Sequence, residues 1–307
     1  MRTTGEWKDF EIIASGGGEK LERWGSVFLL RPDPQAIWRA GFDFTKFEKL
    51  NAKYTRSASG GGSWDILKKM PDEWVIEYRN LKFLISPTSF KHTGLFPEQA
   101  VNWDRMSMII KNPSSTVSSR TEIICDNSYA IKKGAAVLNL FGYTGGATVA
   151  CAKAGAVVTH VDASKGMVEV CKRNCKLNNL PDTSVRFIVD DCIKFVEREI
   201  RRGKRYDAII MDPPSFGRGA NGEVWKIEEH LDYLVGKCCR LLSDKPLFFL
   251  INSYTTGLQP TVMKNLLATN LEKHASIESY EIGLPTNEGI VLPAGCSALA
   301  TFKEAKA

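Results

Sequence analysis

Apolar and polar positions follow two different rhythms along this chain. From about residue 131 onward, short apolar runs at 136–141, 157–161, 185–189, 206–211, 246–251, 276–282 and 297–302 are separated by amphipathic stretches near 145–154, 164–178, 191–202, 225–242 and 259–272. An apolar run bounded by turn residues reads as a buried strand, and ten or more residues of helical period between two such runs read as the crossover. Seven runs linked this way predict an α/β domain over 131–307, built on a doubly wound, mostly parallel seven-stranded sheet.

Residues 1–90 have another pattern. Trp74–Tyr78 and Leu81–Ile85 alternate on either side of Arg79-Asn80, the pattern of a hairpin, and glycine triplets stand at 16–18 and 60–62. Six of the seven tryptophans precede residue 104, which supplies apolar mass for a small β-rich accessory domain. Both glycine triplets follow a serine, but neither lies between a clear strand and a helix or is followed by Lys-Ser/Thr, so they read as turns and not as phosphate loops. Residues 91–130 form the link, with a helix opening at Pro97 and Glu98 in its first turn.

Composition narrows the class without naming a function. With 307 residues, 43% apolar and 25% charged, the chain has length for about two folded domains, which excludes disorder and small stapled scaffolds. No apolar run approaches the roughly 20 residues needed to span a bilayer. The opening MRTTGEWKDFE lacks an apolar targeting region and carries Glu6, Asp9 and Glu11, so the expected location is cytoplasmic. Eight cysteines without regular spacing read as free thiols. Cys171 and Cys175 share a helix face, yet no CxxC pair or histidine accompanies them, and no metal site is expected. The net charge is +6, with +2 on residues 1–130 and +4 on 131–307. Lys194, Arg198, Arg201, Arg202, Lys204 and Arg205 cluster against Glu197 and Glu199 only, either as a phosphate-binding patch or as cations at a helix C-terminus.

Candidate chemistry lies at the ends of the predicted strands. The first strand runs into Phe141-Gly142-Tyr143-Thr144-Gly145-Gly146 and then a helix, and Asp162 ends the second strand, where a carboxylate can take both hydroxyls of an adenosine ribose. The glycine spacing is GxxGG and not the GxGxxG on which a pyrophosphate rests, which weakens an NAD-dependent oxidoreductase and favours S-adenosylmethionine, a nucleoside cofactor without phosphate. Asp190-Asp191-Cys192 follows the third strand, as an adenine contact or as a plain helix cap. After the fourth comes Asp212-Pro213-Pro214-Ser215-Phe216, whose two prolines stop the strand and direct Asp212 and the Pro213 carbonyl toward the cleft.

Together LNLFGYTGG, HVDAS, DPPSFGRG, GEVWK and LPAGCSA resemble the S-adenosylmethionine-dependent methyltransferases grouped with the bacterial ribosomal-RNA large-subunit methyltransferases. HTGLFPEQ (His92–Gln99), KLERWG and RPDPQAIW extend the resemblance over most of the chain. It implies a Rossmann-like methyltransferase sheet, S-adenosylmethionine as cofactor and RNA, ribosomal RNA first, as partner. By the same resemblance Phe141, Gly142, Tyr143, Thr144 and Gly145 line the methionine part, Asp162 holds the ribose, and Asp191 with Cys192 faces the adenine. The His92–Gln99 loop, through Gly94, Phe96 and Gln99, closes over the cofactor, and Asp212, Pro213 and Phe216 meet the target base. One departure is Ser215, which stands where amino-group methyltransferases carry the aromatic. Another is Ile251-Asn252-Ser253-Tyr254, which lacks the cysteine that 5-methylcytosine formation needs as nucleophile; Cys296, the remaining candidate, reads as a small residue in the LPAGCSA turn. Direct in-line transfer is the expected reaction.

The stretch Ser215–Lys226 is expected to form a mobile lid, with Phe216 and Trp225 for stacking on a base and Arg218 and Lys226 for phosphates. The competing reading is a surface loop in which Trp225 packs the next helix. A cofactor- and RNA-binding module that has lost turnover is the alternative function.

Overall fold

The computed structural model describes residues 1–4, 6–57, 61–88, 91–112, 134–218, 222, 224–272 and 274–302. They fall into two units, Met1–Val101 with Ile282–Ala294, and Asn102–Glu281 with Gly295–Ala307. The link expected over 91–130 is described only as far as residue 112.

In the first unit, β1 (Arg2–Thr3) pairs in parallel with Ile282 and Gly283. Strands β2 (Phe10–Gly16), β3 (Glu19–Trp24), β4 (Val27–Pro32), β5 (Ala52–Arg56) and β6 (Gly62–Ile66) lie side by side in that order, antiparallel except for the β4–β5 pair. The first glycine triplet is the β2–β3 turn. Gly17 and Gly18 have φ of 62° and 79°, the left-handed pair a two-residue hairpin needs. Strands β7 (Trp74–Tyr78) and β8 (Leu81–Ile85) form the hairpin predicted from the alternation, with Arg79 at φ 52° in its turn. Trp24, Tyr78 and Phe83 are buried, and Phe10 meets Trp24 edge-on at 4.6 Å. The aromatic core anticipated from tryptophan placement is thus the packing of this unit.

The second unit holds α1 (Ala100–Lys111), which follows a single 3-10 turn at Pro97–Gln99. Then come β9 (Ala136–Leu140), α2 (Gly146–Lys153), β10 (Val157–Asp162), α3 (Lys165–Leu177), β11 (Val185–Val189), α4 (Cys192–Arg201) and β12 (Ala208–Met211). They are followed by β13 (Phe216–Arg218), β14 (Val224–Lys226), α5 (Ile227–Cys239), β15 (Phe248–Ser253), α6 (Pro260–Asn270), β16 (Ser276–Pro285) and β17 (Val291–Thr301). The sheet order is β1-β16-β17-β15-β12-β9-β10-β11, eight strands where the apolar runs predict seven, with β9 to β12 and β15 parallel and β17 antiparallel to β15. This is the doubly wound sheet read from the apolar runs. Leu138, Leu140, Ile209, Phe249 and Ile251 of the sheet pack with Phe195, Leu234, Val235 and Leu267 of the helices, all at or near zero exposure.

Several boundaries differ from the sequence reading, and three of the differences have a local reason. The strand expected from Pro246 starts at Phe248, since proline has no amide for the ladder, and continues to Ser253 because Asn252 and Ser253 pair with Ser297 and Cys296. The helix expected from 225 starts at Ile227, because Val224–Lys226 are committed to β14. LPAGCSA is no turn: it lies within β17, and Gly295 there lets the strand approach Ser253, whose carbonyl would be 2.7 Å from a Cβ.

Candidate functional site

The chain begins its sheet at β9, adds β10 and β11 on one side, then crosses to β12 on the other. The carboxyl ends of β9 and β12 therefore border the crevice where the winding reverses, the place such sheets bind ligands. Met211 is paired with Leu140, so Phe141 and Asp212 leave adjacent strands at the same level.

The turn after β9 is held in an unusual backbone. Phe141 and Tyr143 adopt φ of 54° and 50°, left-handed values that side chains disfavour and that concentrate at ligand sites. What holds them is Asp162. Its Oδ2 accepts the Tyr143 amide and its Oδ1 the Ser164 amide, both at 2.8 Å. Burial pushes the Asp162 carboxyl above its ordinary value, with the two amides pulling the other way.

Beneath the turn lies a polar layer that sequence reasoning missed. Asn139 Nδ2 donates to Thr148 Oγ1 at 2.9 Å, Thr148 Oγ1 is 2.9 Å from His160 Nδ1, and Asn174 Nδ2 donates to the Thr144 carbonyl at 2.9 Å. His160 is fully buried and burial pushes its imidazole down to about 4. A Cβ on Gly142 would stand 2.4 Å from the His160 ring, and one on Gly145 2.2 Å from Cys171 Sγ. These two glycines are thus required by what packs under the turn as well as by any ligand above it. The one available signal was the run of polar residues in apolar strands and helices, which ordinary burial rules pass over.

On the β11 side, Asp191 Oδ1 caps α4 through the Lys194 amide at 2.9 Å, so the cap reading holds, and the second oxygen of a cap carboxylate stays available to a ligand. Asp190 pairs with Arg198 and accepts the Asp191 amide. Cys192 is buried, its thiol pushed up by burial, beside the Phe141 backbone. Asp162, Asp190, Asp191 and Asp212 all stand at strand ends. This acidic rim would repel a pyrophosphate and suits a cationic ligand with hydroxyl groups, so the donor set fits a sulfonium nucleoside.

Past β12, Pro213 is buried while Pro214, Ser215 and Phe216 are exposed, Phe216 by 54%. Ser215 Oγ is 2.6 Å from Thr255 Oγ1. Within the segment expected to be a mobile lid, β13 and β14 pair antiparallel, Phe216 with Lys226 and Gly217 with Trp225. Trp225 is 7% exposed, donates Nε1 to the Pro214 carbonyl at 2.6 Å, and packs on Phe141 at 5.0 Å and on His230 at 5.6 Å. Its faces are occupied, so its expected role as a base-stacking surface gives way to anchoring the turn. Lys226 is exposed and pairs with Glu229 at 2.7 Å. Arg218 belongs to β13, and Gly219 lies outside the described residues.

At the end of β15, Asn252 is 3% exposed and accepts from Asn102 at 3.1 Å and from Ser297 at 2.7 Å, while Tyr280 donates to Asn102 at 2.7 Å. A closed polar network occupies the place where a nucleophilic cysteine is expected for cytosine C5 chemistry. Cys296 donates to the Leu258 carbonyl at 3.1 Å, and burial pushes its thiol up to about 11. Burial thus favours the protonated thiol over the nucleophilic thiolate. Among the described residues no three His, Cys, Asp or Glu side chains gather as a metal site, and no helix is long and apolar enough to cross a membrane. Gly94, at φ 91°, Phe96 and Gln99 belong to the first unit. In the basic window, Arg198 and Arg202 are paired with Asp190 and Glu199, and Arg201, Lys204 and Arg205 remain exposed around the end of α4.

The profile of the S-adenosylmethionine-dependent methyltransferases matches residues 125–242. A crystal structure of a SAM-dependent methyltransferase from Agrobacterium tumefaciens is 32% identical, with a TM-score of 0.85 over 97% of this chain and 92% of that one. Ribosomal RNA large subunit methyltransferase K from Neisseria meningitidis is 25% identical over 283 residues, which cover 88% of this chain and 74% of that protein. Ribosomal RNA large subunit methyltransferase K/L from Syntrophotalea carbinolica is 29% identical over 175 residues, 57% of this chain but only 21% of that much longer protein. With the glycine turn, the acidic rim and the reversal of winding between β9 and β12, these likenesses identify the chain as a member of the S-adenosylmethionine-dependent methyltransferase family.

Proposed function

We propose that this protein methylates a base in RNA, ribosomal RNA foremost, by direct in-line transfer in the cytoplasm. The observation that carries the reading is the emergence of Phe141 and Asp212 from paired strands at one level, which sets the cofactor turn beside the DPPSF turn. S-adenosylmethionine supplies the electrophilic methyl group. In this reading the Asp162 carboxylate holds the ribose while retaining the Tyr143 and Ser164 amides, Asp191 and Cys192 border the adenine, and Phe141 to Gly145 line the methionine part.

For the target base, Asp212 and the Pro213 carbonyl accept hydrogen bonds from the nitrogen to be methylated and orient its lone pair, and Phe216 stacks on the ring. Lys226 and Arg218 meet flanking phosphates. A base in a folded RNA is unstacked to reach this turn, at a cost of a few kcal/mol that stacking on Phe216 offsets in part. Nitrogen as the acceptor is favoured over cytosine carbon 5 by the lack of a cysteine in Ile251-Asn252-Ser253-Tyr254 and by the burial of Cys296.

The experiment is transfer of labelled methyl groups from S-adenosylmethionine to ribosomal RNA taken from cells lacking this gene, followed by nucleoside mass spectrometry. A single methylated-nitrogen nucleoside, lost in Asp212→Ala with cofactor affinity kept within a few-fold, is the expected result. Cofactor binding without transfer to any RNA points to the silent module and overturns the proposal, and a 5-methylcytosine product overturns the in-line nitrogen chemistry.

A further inference from the structure

At one end of the β2–β6 sheet in the first unit, cations from three separate stretches of chain gather on one face. Lys20 on β3 and Arg31 on β4 are directly opposed, an arrangement of like charges that disfavours pairing unless something compensates. The parallel register of Leu29 with Ala52 carries the same face onward to Tyr54 and Arg56 of β5. The third stretch is fastened here by hydrogen bonds. Arg31 Nη1 donates to the Lys91 carbonyl at 2.8 Å, the Thr88 amide and hydroxyl donate to the His92 carbonyl at 3.1 and 2.9 Å, and Trp64 Nε1 donates to the Thr88 carbonyl at 2.8 Å.

Glu22 and Asp33 are committed to two of these cations, and buried Glu98 also acts on Arg31. Buried Glu22 takes Arg31 through both oxygens at 2.6 and 2.8 Å and Lys20 at 3.5 Å, and Asp33 takes Lys20 at 3.2 Å. Among the described residues no carboxylate comes within 4.0 Å of Arg56 or Lys91. Burial first, and then the cations Arg31, Lys91, Lys20 and Arg56, push the His92 imidazole down to about 4. Burial and its cationic neighbours also lower Lys91, with Asp33 opposing. Protein groups thus leave a positive field around a neutral imidazole at neutral pH, the condition an oxyanion relieves. Next to it, half-buried Trp64 meets Tyr54 edge-on at 5.3 Å.

We infer that this end of the first unit binds single-stranded RNA, Arg56 and Lys91 meeting a phosphodiester, His92 donating to it, and Trp64 offering a face to an adjoining base. Cations beside an aromatic surface are the combination that holds unpaired strands, and a small carboxylate would have no use for the aromatic. The inference rests on the RNA reading above and adds residues of the first unit to the RNA contact.

The test uses the full chain and a fluorescent single-stranded RNA oligonucleotide, with binding measured between 50 and 200 mM salt, values chosen to span the range over which phosphate contacts dominate. Arg56→Ala with Lys91→Ala should weaken binding tenfold or more at the lower salt. The salt slope should fall by about 0.7 per lost phosphate contact. Trp64→Ala should weaken binding with the slope retained. Melting temperature and S-adenosylmethionine affinity should stay close to wild type, and inorganic phosphate should move the His92 imidazole resonance in wild type only. If wild type binds RNA and the double variant binds it equally with an unaltered slope, this inference fails and the RNA reading stands. If wild type binds no RNA, both fail. Loss of cofactor affinity in the double variant, with RNA binding kept, assigns the cations to the cofactor's carboxylate and overturns the inference.

Discussion

The Tyr143 amide lies 2.8 Å from Asp162 Oδ2, so the carboxylate proposed to hold the ribose also holds the left-handed turn that borders the methionine part. In the proposed site one side chain thereby serves both the ribose and the turn. Asp162→Ala should weaken S-adenosylmethionine binding tenfold or more, since two charge-assisted contacts exceed the about 1.4 kcal/mol that a factor of ten requires. Asp162→Asn, which can still accept the Tyr143 amide, should retain the fold and lose affinity. Calorimetry decides it: unchanged affinity in a folded Asp162→Asn removes the ribose assignment.

Gly142 and His160 should behave as one unit. With the imidazole 2.4 Å from a Cβ at 142, Gly142→Ala overpacks the layer and should cost about 1 to 3 kcal/mol. His160→Ala opens that space, so the double variant should be more stable than the sum of the single effects predicts. Chemical denaturation of the four proteins measures the coupling. Strict additivity would show that the ring yields without cost.

Acid should destabilise the protein through His160. Its folded value of about 4 lies below an unfolded value of about 6.5, so the unfolded chain binds the proton more readily. The stability is full above about pH 6.5 and is lost as pH falls through 6.5 toward 4, by on the order of 3 kcal/mol. His92, also near 4, adds a loss of the same sign. Unfolding free energy measured across this window should fall less steeply in His160→Asn, and an equal slope would contradict the assignment.

Phe216 and Trp225 should separate function from stability. Phe216 is 54% exposed and Trp225 7% exposed, although only one residue of a pair register divides their positions. Phe216→Ala should leave the melting temperature nearly unchanged and raise KM for RNA or lower kcat. Trp225→Ala removes a buried ring that packs on Phe141 and should cost about 3 to 5 kcal/mol, with cofactor affinity falling as the turn loosens. A stable Trp225→Ala with weakened RNA binding alone would restore its stacking role.

Amino-acid order by itself determined the alternation of strand and helix after residue 131, the β7–β8 hairpin, and the positions of the glycine turn and DPPSF at strand ends. These rest on local physics: period, turn chemistry and the missing amide of proline act within a few residues. Only tertiary structure decided the rest. That β9 lies between β10 and β12, bringing Phe141 beside Asp212, depends on which strands pair, which no window of sequence contains. From the sequence Trp225 could either stack on a base or pack the next helix; its stacking on His230 of that helix is local, while the contact with Phe141 comes from a distant part of the chain. The layer of Asn139, Thr148, His160 and Asn174 has the same origin. Each is an ordinary polar residue in its own segment, and it becomes a support for the turn when the fold removes it from water and leaves another of the layer, or for Asn174 the Thr144 carbonyl, as its hydrogen-bond partner.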